Sequence, residues 1–190
     1  KGKKLPSSES SVRLVAMPFL VAQNGRVLNP ASLVYSWEQD GKKLIPLSGF
    51  GKQSATIVGP PLFQESIVSV EVSSLDESIK AKKTIFFDPV APQVVFYEKH
   101  PLQGVLYGRA LKEKYALLKD EFSLRAEPYF FPRAALDFEW SVNNQNVLSL
   151  KQNELVLRKE SERGGDSRVE LKIKDLQKFL QAAAVLLVQF

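Results

Sequence analysis

The chain has 190 residues, of which 44% are hydrophobic and 25% are charged, a composition typical of a folded protein with a sizeable core. Its 26 Lys and Arg residues against 21 Asp and Glu give a net charge of +5, and Lys1, Lys3 and Lys4 carry three of those charges, so the basic balance is weak evidence for a nucleic-acid partner. The absence of cysteine excludes a disulfide framework and a thiolate metal site, and no apolar run approaches the about 18 residues that a membrane-spanning helix needs.

Apolar and polar residues alternate with a period of two along the first half of the chain, which predicts half-buried β-strands. Val12, Leu14 and Ala16 share one face of the first predicted strand. Further strands are predicted at 33–37, 56–58, 67–72 and 83–87. Turn-forming pairs such as Asn24-Gly25 and Asp40-Gly41 separate the strands.

A proline-rich linker at 88–92 predicts a domain boundary, because its two prolines favour extended backbone. Strands are predicted beyond it at 94–97, 105–107, 122–126, 136–142, 154–157, 168–173 and 183–190. Local propensity favours helix at 110–119 and again at 175–186. We assign 183–190 to a final strand nevertheless, because it occupies the place of the first domain's last strand.

The two halves of the chain repeat one another. Trp37 and Trp140 are the only tryptophans, they lie 103 residues apart, and each ends a segment of alternating apolar residues that begins with leucine. Residues 11–20 match 121–130, and residues 66–72 match 167–173. The spacing is about the length of an immunoglobulin-like domain. The sequence therefore predicts an all-β protein of two tandem immunoglobulin-like antiparallel β-sandwich domains, at residues 1–88 and 89–190.

The first domain is predicted to lack its first strand. The strand-like segment 93–107 leads into the second repeat, but nothing comparable stands before Gly2. We expect an upstream strand and an export signal to lie outside this chain, since no signal peptide opens it.

Two groups of residues stand out as core and as interaction surface. The inward face of the strand around each tryptophan is predicted to form the structural core, with Leu33, Tyr35, Trp37, Leu136, Phe138 and Trp140. A candidate interaction surface comprises the phenylalanines of predicted loops and strand ends, Phe50, Phe63, Phe130 and Phe131. Buried rings would favour a structural role, whereas a coplanar exposed row would favour binding of a polymer.

No motif carries catalytic chemistry, so we expect no enzymatic activity, no cofactor and no metal. The segment 49–54 departs from the spacing of a phosphate-binding loop, and His100, the only histidine, precedes Pro101 in a predicted loop. Asp137 and Glu139 flank an inward-facing residue and should point into solvent. The lysine clusters lack the interleaved aromatics of a nucleic-acid surface.

The segment 35–41, with Tyr35, Trp37, Asp40 and Gly41, resembles the Tyr-x-Trp-x-x-Asp-Gly segment of polycystic-kidney-disease-type and related immunoglobulin-like modules of bacterial exported proteins. The resemblance implies a spacer, stalk or adhesive unit without catalytic residues. We therefore expect an extracytoplasmic structural or protein-interaction module of a bacterial cell-envelope or surface protein, with any membrane anchor in an attached segment. The alternatives are a module that binds carbohydrate or another surface polymer, and an accessory domain of a larger exported hydrolase.

Overall fold

The computed structural model describes residues 5–117, 121–131, 135–147, 152–159 and 164–190. Within these ranges the chain forms β-strands and two short 3-10 helices, Pro30–Ser32 and Ile45–Leu47, and it has no helix long and apolar enough to cross a membrane. The described residues divide into two compact units, which fall within Lys1–Ala91 and Pro92–Phe190 and are called unit 1 and unit 2 below.

Unit 1 consists of two sheets whose ladders are all antiparallel. Its strands are β1 (Ser11–Val15), β2 (Val34–Gln39), β3 (Lys42–Lys43), β4 (Gly49–Phe50), β5 (Ser54–Val58), β6 (Ser66–Ser73) and β7 (Lys80–Phe87). One sheet pairs β1 with β5, and the other has the order β3-β2-β6-β7 with β4 also paired to β2. The side chains of β2 alternate between buried and half-buried, as expected of a strand with one face on the core.

Unit 2 repeats this arrangement with more strands. They are β8 (Gln93–His100), β9 (Gly104–Leu111), β10 (Lys114–Ala116), β11 (Glu121–Tyr129), β12 (Asp137–Val142), β13 (Gln145–Asn146), β14 (Glu154–Arg158), β15 (Asp166–Asp175) and β16 (Leu180–Gln189). The sheets have the orders β14-β11-β8-β9 and β10-β16-β15-β12-β13. Strand β10 pairs in parallel with β16, and the other ladders are antiparallel.

The predicted fold class, two tandem immunoglobulin-like antiparallel sandwiches, is confirmed. The assignment of the last segment to a strand is also correct, because β16 pairs along its whole length with β15. The helical tendency of 110–119 is not realised in its described part, where β9 ends at Leu111 and β10 begins at Lys114. Ladder bonds to β8 and to β16 outweigh the local preference of Ala, Leu and Lys for helix.

The two tryptophans occupy equivalent positions in their units. Trp37 is 3% exposed and Trp140 is 2% exposed. The indole Nε1–H of Trp37 donates to the carbonyl oxygen of Lys52 at 2.9 Å, and that of Trp140 donates to the carbonyl oxygen of Gln152 at 2.8 Å. Each indole is therefore buried with its one polar atom satisfied, which makes it a fixed centre of the core.

The turn after each tryptophan-bearing strand is held by the same kind of side-chain-to-backbone hydrogen bond. In unit 1 the Oδ1 of Asp40 accepts a hydrogen bond at 2.8 Å from a backbone N–H of β6, and in unit 2 the Oδ1 of Asn143 accepts one at 2.8 Å from β15. Both residues have positive φ, of 51° and 50°. Gly41 and Asn144 follow with φ of 78° and 65°, so Asn144 adopts the left-handed conformation that glycine adopts in unit 1.

Candidate functional site

The six predicted core residues lie in the interiors of their units to different degrees. Leu33 is 1% exposed and Tyr35 fully buried, with the Tyr35 hydroxyl donating to the carbonyl oxygen of Pro30 at 2.8 Å. Burial raises the pKa of Tyr35 above its ordinary value. In unit 2, Leu136 and Phe138 are half-buried and pack against the core that surrounds Trp140.

The four phenylalanines of the predicted interaction surface do not share one environment. Phe50 and Phe63, in unit 1, are 57% and 91% exposed. Phe130 and Phe131, in unit 2, are half-buried, and Phe131 packs against the core. Phe63 also has a φ of 66°, which is rare for a bulky residue. Two solvent-exposed rings are therefore available in unit 1, whereas the pair in unit 2 contributes partly to packing.

The polar residues weighed for chemistry have structural partners. The Nδ1 of His100 accepts hydrogen bonds from the N–H groups of Leu102 at 3.2 Å and Gln103 at 3.3 Å, which closes the hairpin between β8 and β9. Glu139 is exposed and accepts a hydrogen bond from Lys174 at 2.7 Å. In the part of the chain that the structure describes, no three His, Cys, Asp or Glu side chains cluster as metal ligands would.

A more distinctive feature is the exposed apolar row on β1 and the residues that continue it. The side chains of Val15, Met17 and Phe19 are 57%, 88% and 76% exposed. Phe19 lies on the outer face with Val15 and Met17, because side chains alternate along an extended segment.

The backbone of the same segment has one unpaired side. The N–H of Ala16 donates to the carbonyl oxygen of Gln53 at 2.9 Å, and the carbonyl oxygen of Ala16 accepts from Gln53 Nε2 at 2.8 Å. Neighbouring residues of a strand direct their backbone groups to opposite sides, so those of Val15, Met17 and Phe19 point away from β5. Among the described residues no strand lies there, and the N–H groups of Met17 and Phe19 form no backbone hydrogen bond.

We call this side of residues 14–19 the open edge. Its counterpart in unit 2 is closed, because β11 pairs with β14 on one side and with β8 on the other. The N–H of Ala126 donates to the carbonyl oxygen of Asn153 at 2.8 Å, just as Ala16 bonds to Gln53. Residues 124–129 of β11, which match 14–19 in sequence, are then paired antiparallel with residues 93–98 of β8.

Core burial reflects this difference. In unit 2, Leu124 and Ala126 are fully buried beneath the sheet. Their matches in unit 1, Leu14 and Ala16, are only half-buried, although they face the core of that unit. The ring of Phe96 on β8 stacks on Trp140 with centroids 5.9 Å apart, which shows what the extra strand contributes to the core of unit 2.

The outer face of this sheet in unit 2 is polar where unit 1 is apolar. Arg125 donates to Glu127 at 2.9 Å and to Glu154 at 2.8 Å, and Lys99 donates to the second oxygen of Glu154 at 2.7 Å. Hydrogen bonds from Lys99 and then Arg125 lower the pKa of Glu154. Arg125 and Glu127 occupy the positions that Val15 and Met17 hold in unit 1, so this network has no counterpart there.

Three tyrosines adjoin that network, and the sequence analysis did not predict that they lie together. The hydroxyl groups of Tyr97 and Tyr129 lie 3.0 Å apart, and this hydrogen bond, with burial, raises the pKa of Tyr129 to about 12. The Tyr107 hydroxyl donates to Glu127 at 2.8 Å, and this bond raises the pKa of Tyr107. The three tyrosines come together only because their three strands pair side by side. The alternation of side chains along each strand could have predicted that each tyrosine points outward.

Neither a protein-family model nor a curated protein sequence matches the chain. Among solved structures it is similar to the three N-terminal domains of the highly immunogenic outer capsid protein (Hoc) of bacteriophage RB49, with 11% identity over 97% of this chain and 55% of that one and a TM-score of 0.44. It is also similar to fibronectin(III)-like modules of Clostridium thermocellum CbhA, with 8% identity, 97% and 89% coverage and a TM-score of 0.29. Immunoglobulin domains 1–4 of Sidekick-1 match with 14% identity, 97% and 48% coverage and a TM-score of 0.29. The chain spans about half the length of the Hoc and Sidekick-1 chains, and at these scores none of the three assigns it a function.

Proposed function

We propose that the chain is a non-catalytic protein-interaction module of a bacterial cell-envelope or surface protein, located outside the cytoplasm. The observation that carries the proposal is the open edge of unit 1, where Val15, Met17 and Phe19 are exposed beside unpaired backbone groups. An uncovered strand with apolar side chains is a template for association, and proteins that avoid association protect such edges with charges or coverage. Unit 2 of the same chain does both at the equivalent strand.

Site-specific photo-crosslinking tests this proposal. Phe19 is replaced by a benzophenone-bearing phenylalanine, and the labelled chain is irradiated in an extract of the source cells. Phe179, which is 93% exposed in unit 2, receives the same substitution as the control. We expect a defined polypeptide adduct from position 19 and none from position 179. Equal labelling from both positions, or no adduct from position 19, contradicts the proposal.

Binding of a cell-surface polymer such as a carbohydrate is the second candidate, and the exposure of Phe50 and Phe63 favours it. A solvent-exposed ring can stack on the apolar face of a sugar, and Phe63 keeps its ring exposed despite an unfavourable φ. Co-sedimentation with purified cell-wall polysaccharide tests this function. If this function is correct, the chain binds the polysaccharide and Phe63→Ala reduces the binding. Val156→Ala, a substitution at an exposed position of unit 2, leaves the binding unchanged.

The third candidate is an accessory domain of a larger exported hydrolase. It requires that the complete coding sequence join this chain to a catalytic domain, and sequencing of the gene tests it. A coding sequence that holds only further β-sandwich domains would favour the interaction module instead.

A further inference from the structure

We infer that strand β16 of unit 2 pairs antiparallel with β16 of a second copy of this chain, so that two copies form a dimer through a continuous β-sheet. The surface that pairs is the free side of residues 181–185, which we call the β16 edge. The inference goes beyond the proposed function and uses none of the residues of the open edge.

Strand β16 has a partner along its whole length on one side, but only near its end on the other. It pairs antiparallel with β15 from Leu180 to Gln189. On the opposite side, β10 pairs only with residues 187–189. Among the described residues, no strand pairs with 181–185 on that side. This part of β16 is therefore a sheet edge.

The backbone groups of alternate residues point towards the β16 edge. The N–H of Leu187 donates to the carbonyl oxygen of Glu113 at 2.9 Å, which shows that Leu187 directs its backbone groups to the β10 side. Residues two apart in a strand face the same way, so Gln181, Ala183 and Val185 direct theirs to the β16 edge. In the described part of the chain, none of these three N–H groups forms a backbone hydrogen bond outside the ladder to β15.

The β16 edge lacks the charges that the matched strand of unit 1 carries. The sequence repeat and the strand pairing set Lys82 and Lys83 of β7 in the places of Ala183 and Ala184 of β16. Lysines on an edge strand oppose the addition of a second edge, because pairing would bring like charges together or bury them. Strand β16 contains no charged residue, so nothing of this kind protects its edge.

One register lets two copies of the β16 edge satisfy each other. With Ala183 opposite Ala183 of the second copy, Gln181 lies opposite Val185 in both directions, and the free backbone groups of all three residues face each other. The outward side chains at the two-fold axis are then methyl groups, which let the backbones approach to the about 4.8 Å that separates neighbouring strands. The same register in β7 would set Lys82 opposite Lys82.

The inner side of the β16 edge has room for the added strand. A groove of about 840 Å³ borders Ala184 and Val185, and its lining includes the apolar side chains of Phe96 and Leu111. The groove is open because the segment between β9 and β10 crosses to the other sheet without covering this part of β16. In the symmetric register, Ala182 of the second copy lies opposite Ala184 and directs its methyl group over the groove.

The small size of the β16 edge predicts a weak dimer. Pairing of so few residues from each copy falls among the transient interfaces that bury less than about 1,200 Å². We therefore expect a dissociation constant in the micromolar range. Chain added to an extract at nanomolar concentration is then monomeric, so photo-crosslinking at positions 19 and 179 reports on the proposed function alone.

Sedimentation of the full chain, combined with amide hydrogen exchange, tests the inference. We expect a monomer in dilute solution and a dimer at high micromolar concentration. Exchange at the amides of Ala183 and Val185 should slow at least about threefold as the dimer forms, whereas Ala182 and Ala184, which pair with β15, should be protected at both concentrations. A monomer at every concentration, or a dimer that leaves Ala183 and Val185 unprotected, overturns the inference.

Charge substitution at Ala183 tests the register. Ala183→Lys sets two lysines opposite each other and should weaken the dimer at least about fivefold. Val156→Lys makes the same change in charge on β14, at an exposed position of unit 2, and should leave the dimer within about twofold. An equimolar mixture of Ala183→Lys and Ala183→Glu should dimerise again, because opposite charges then meet at the axis. Equal effects of the two lysine variants, or a mixture that stays monomeric, overturns the inference.

The same amides show whether a different polypeptide occupies the β16 edge instead. Protection of Ala183 and Val185 that rises with the concentration of the purified chain alone agrees with a second copy. A purified chain that stays monomeric, and whose two amides become protected only after a cell extract is added, would assign the β16 edge to another polypeptide and overturn the inference.

Discussion

Replacement of Phe96 by alanine should strongly destabilise unit 2. The Phe96 side chain is 3% exposed and stacks on Trp140 at an interplanar angle of 23°, so truncation removes a buried ring and its aromatic partner at once. Substitutions of buried phenylalanine by alanine cost about 3–5 kcal/mol. Domains of this size have free energies of unfolding of about 5–15 kcal/mol, so this is a large fraction of the stability of the unit.

Urea denaturation followed by tryptophan fluorescence measures this loss. In a Trp37→Phe background the only indole left is Trp140, which reports on unit 2 alone. Phe179→Ala is the matched control, because Phe179 is a phenylalanine of the same unit that is 93% exposed, and its removal should change the free energy of unfolding by less than about 0.5 kcal/mol. A loss below about 1 kcal/mol for Phe96→Ala would show that β8 does not complete the core of unit 2.

Three further predictions concern titration and backbone strain. Lys99 and Arg125 lower the pKa of Glu154 below its ordinary value of 4.5, so these ion pairs stabilise the folded state above that pH. Their contribution is lost as the pH falls further. Glu154→Gln should therefore flatten the acid side of the pH–stability profile, measured by urea denaturation. Tyr129 has a pKa raised from 10.0 to about 12, so the stability that its hydroxyl contributes is present below pH 10 and is lost as the pH rises from 10 towards 12. In Tyr129→Phe this alkaline loss of stability should shrink. An unchanged pH–stability profile would contradict the raised pKa of Tyr129. Phe63→Gly should raise the free energy of unfolding of unit 1 by roughly 1 kcal/mol, because the exposed residue has a φ of 66°, and calorimetry that finds destabilisation would contradict this.

Local patterns predict the tandem fold well because the same physical demands recur in both halves. A buried indole needs an apolar strand around it and an acceptor for its N–H. Both units meet that need with a backbone carbonyl, 15 residues later in unit 1 and 12 residues later in unit 2. The turn after it needs a side-chain acceptor and a residue that tolerates positive φ. Asp40 and Asn143 both supply the acceptor, although they differ in charge.

The candidate site is harder to predict from the sequence because it depends on which strand pairs with which. Leu14 and Ala16 have the same residue types as Leu124 and Ala126, yet their burial differs with the presence of β8. The helical preference of 110–119 similarly yields, within the described residues 110–117, to pairing partners distant in the chain. Likewise, Tyr97 and Tyr129 lie 32 residues apart and meet only through the register of β8 and β11. The pairing of strands that are distant in the chain cannot be predicted from the alternation of apolar and polar residues alone.

Amide hydrogen exchange of the unliganded chain measures whether the equivalent strands of the two units differ in having an open and a closed edge. The amides of Glu127 and Tyr129 pair with β8 and should be protected, whereas those of Met17 and Phe19 should exchange at nearly the rate of an unstructured peptide. Comparable protection at both pairs of positions would contradict the account.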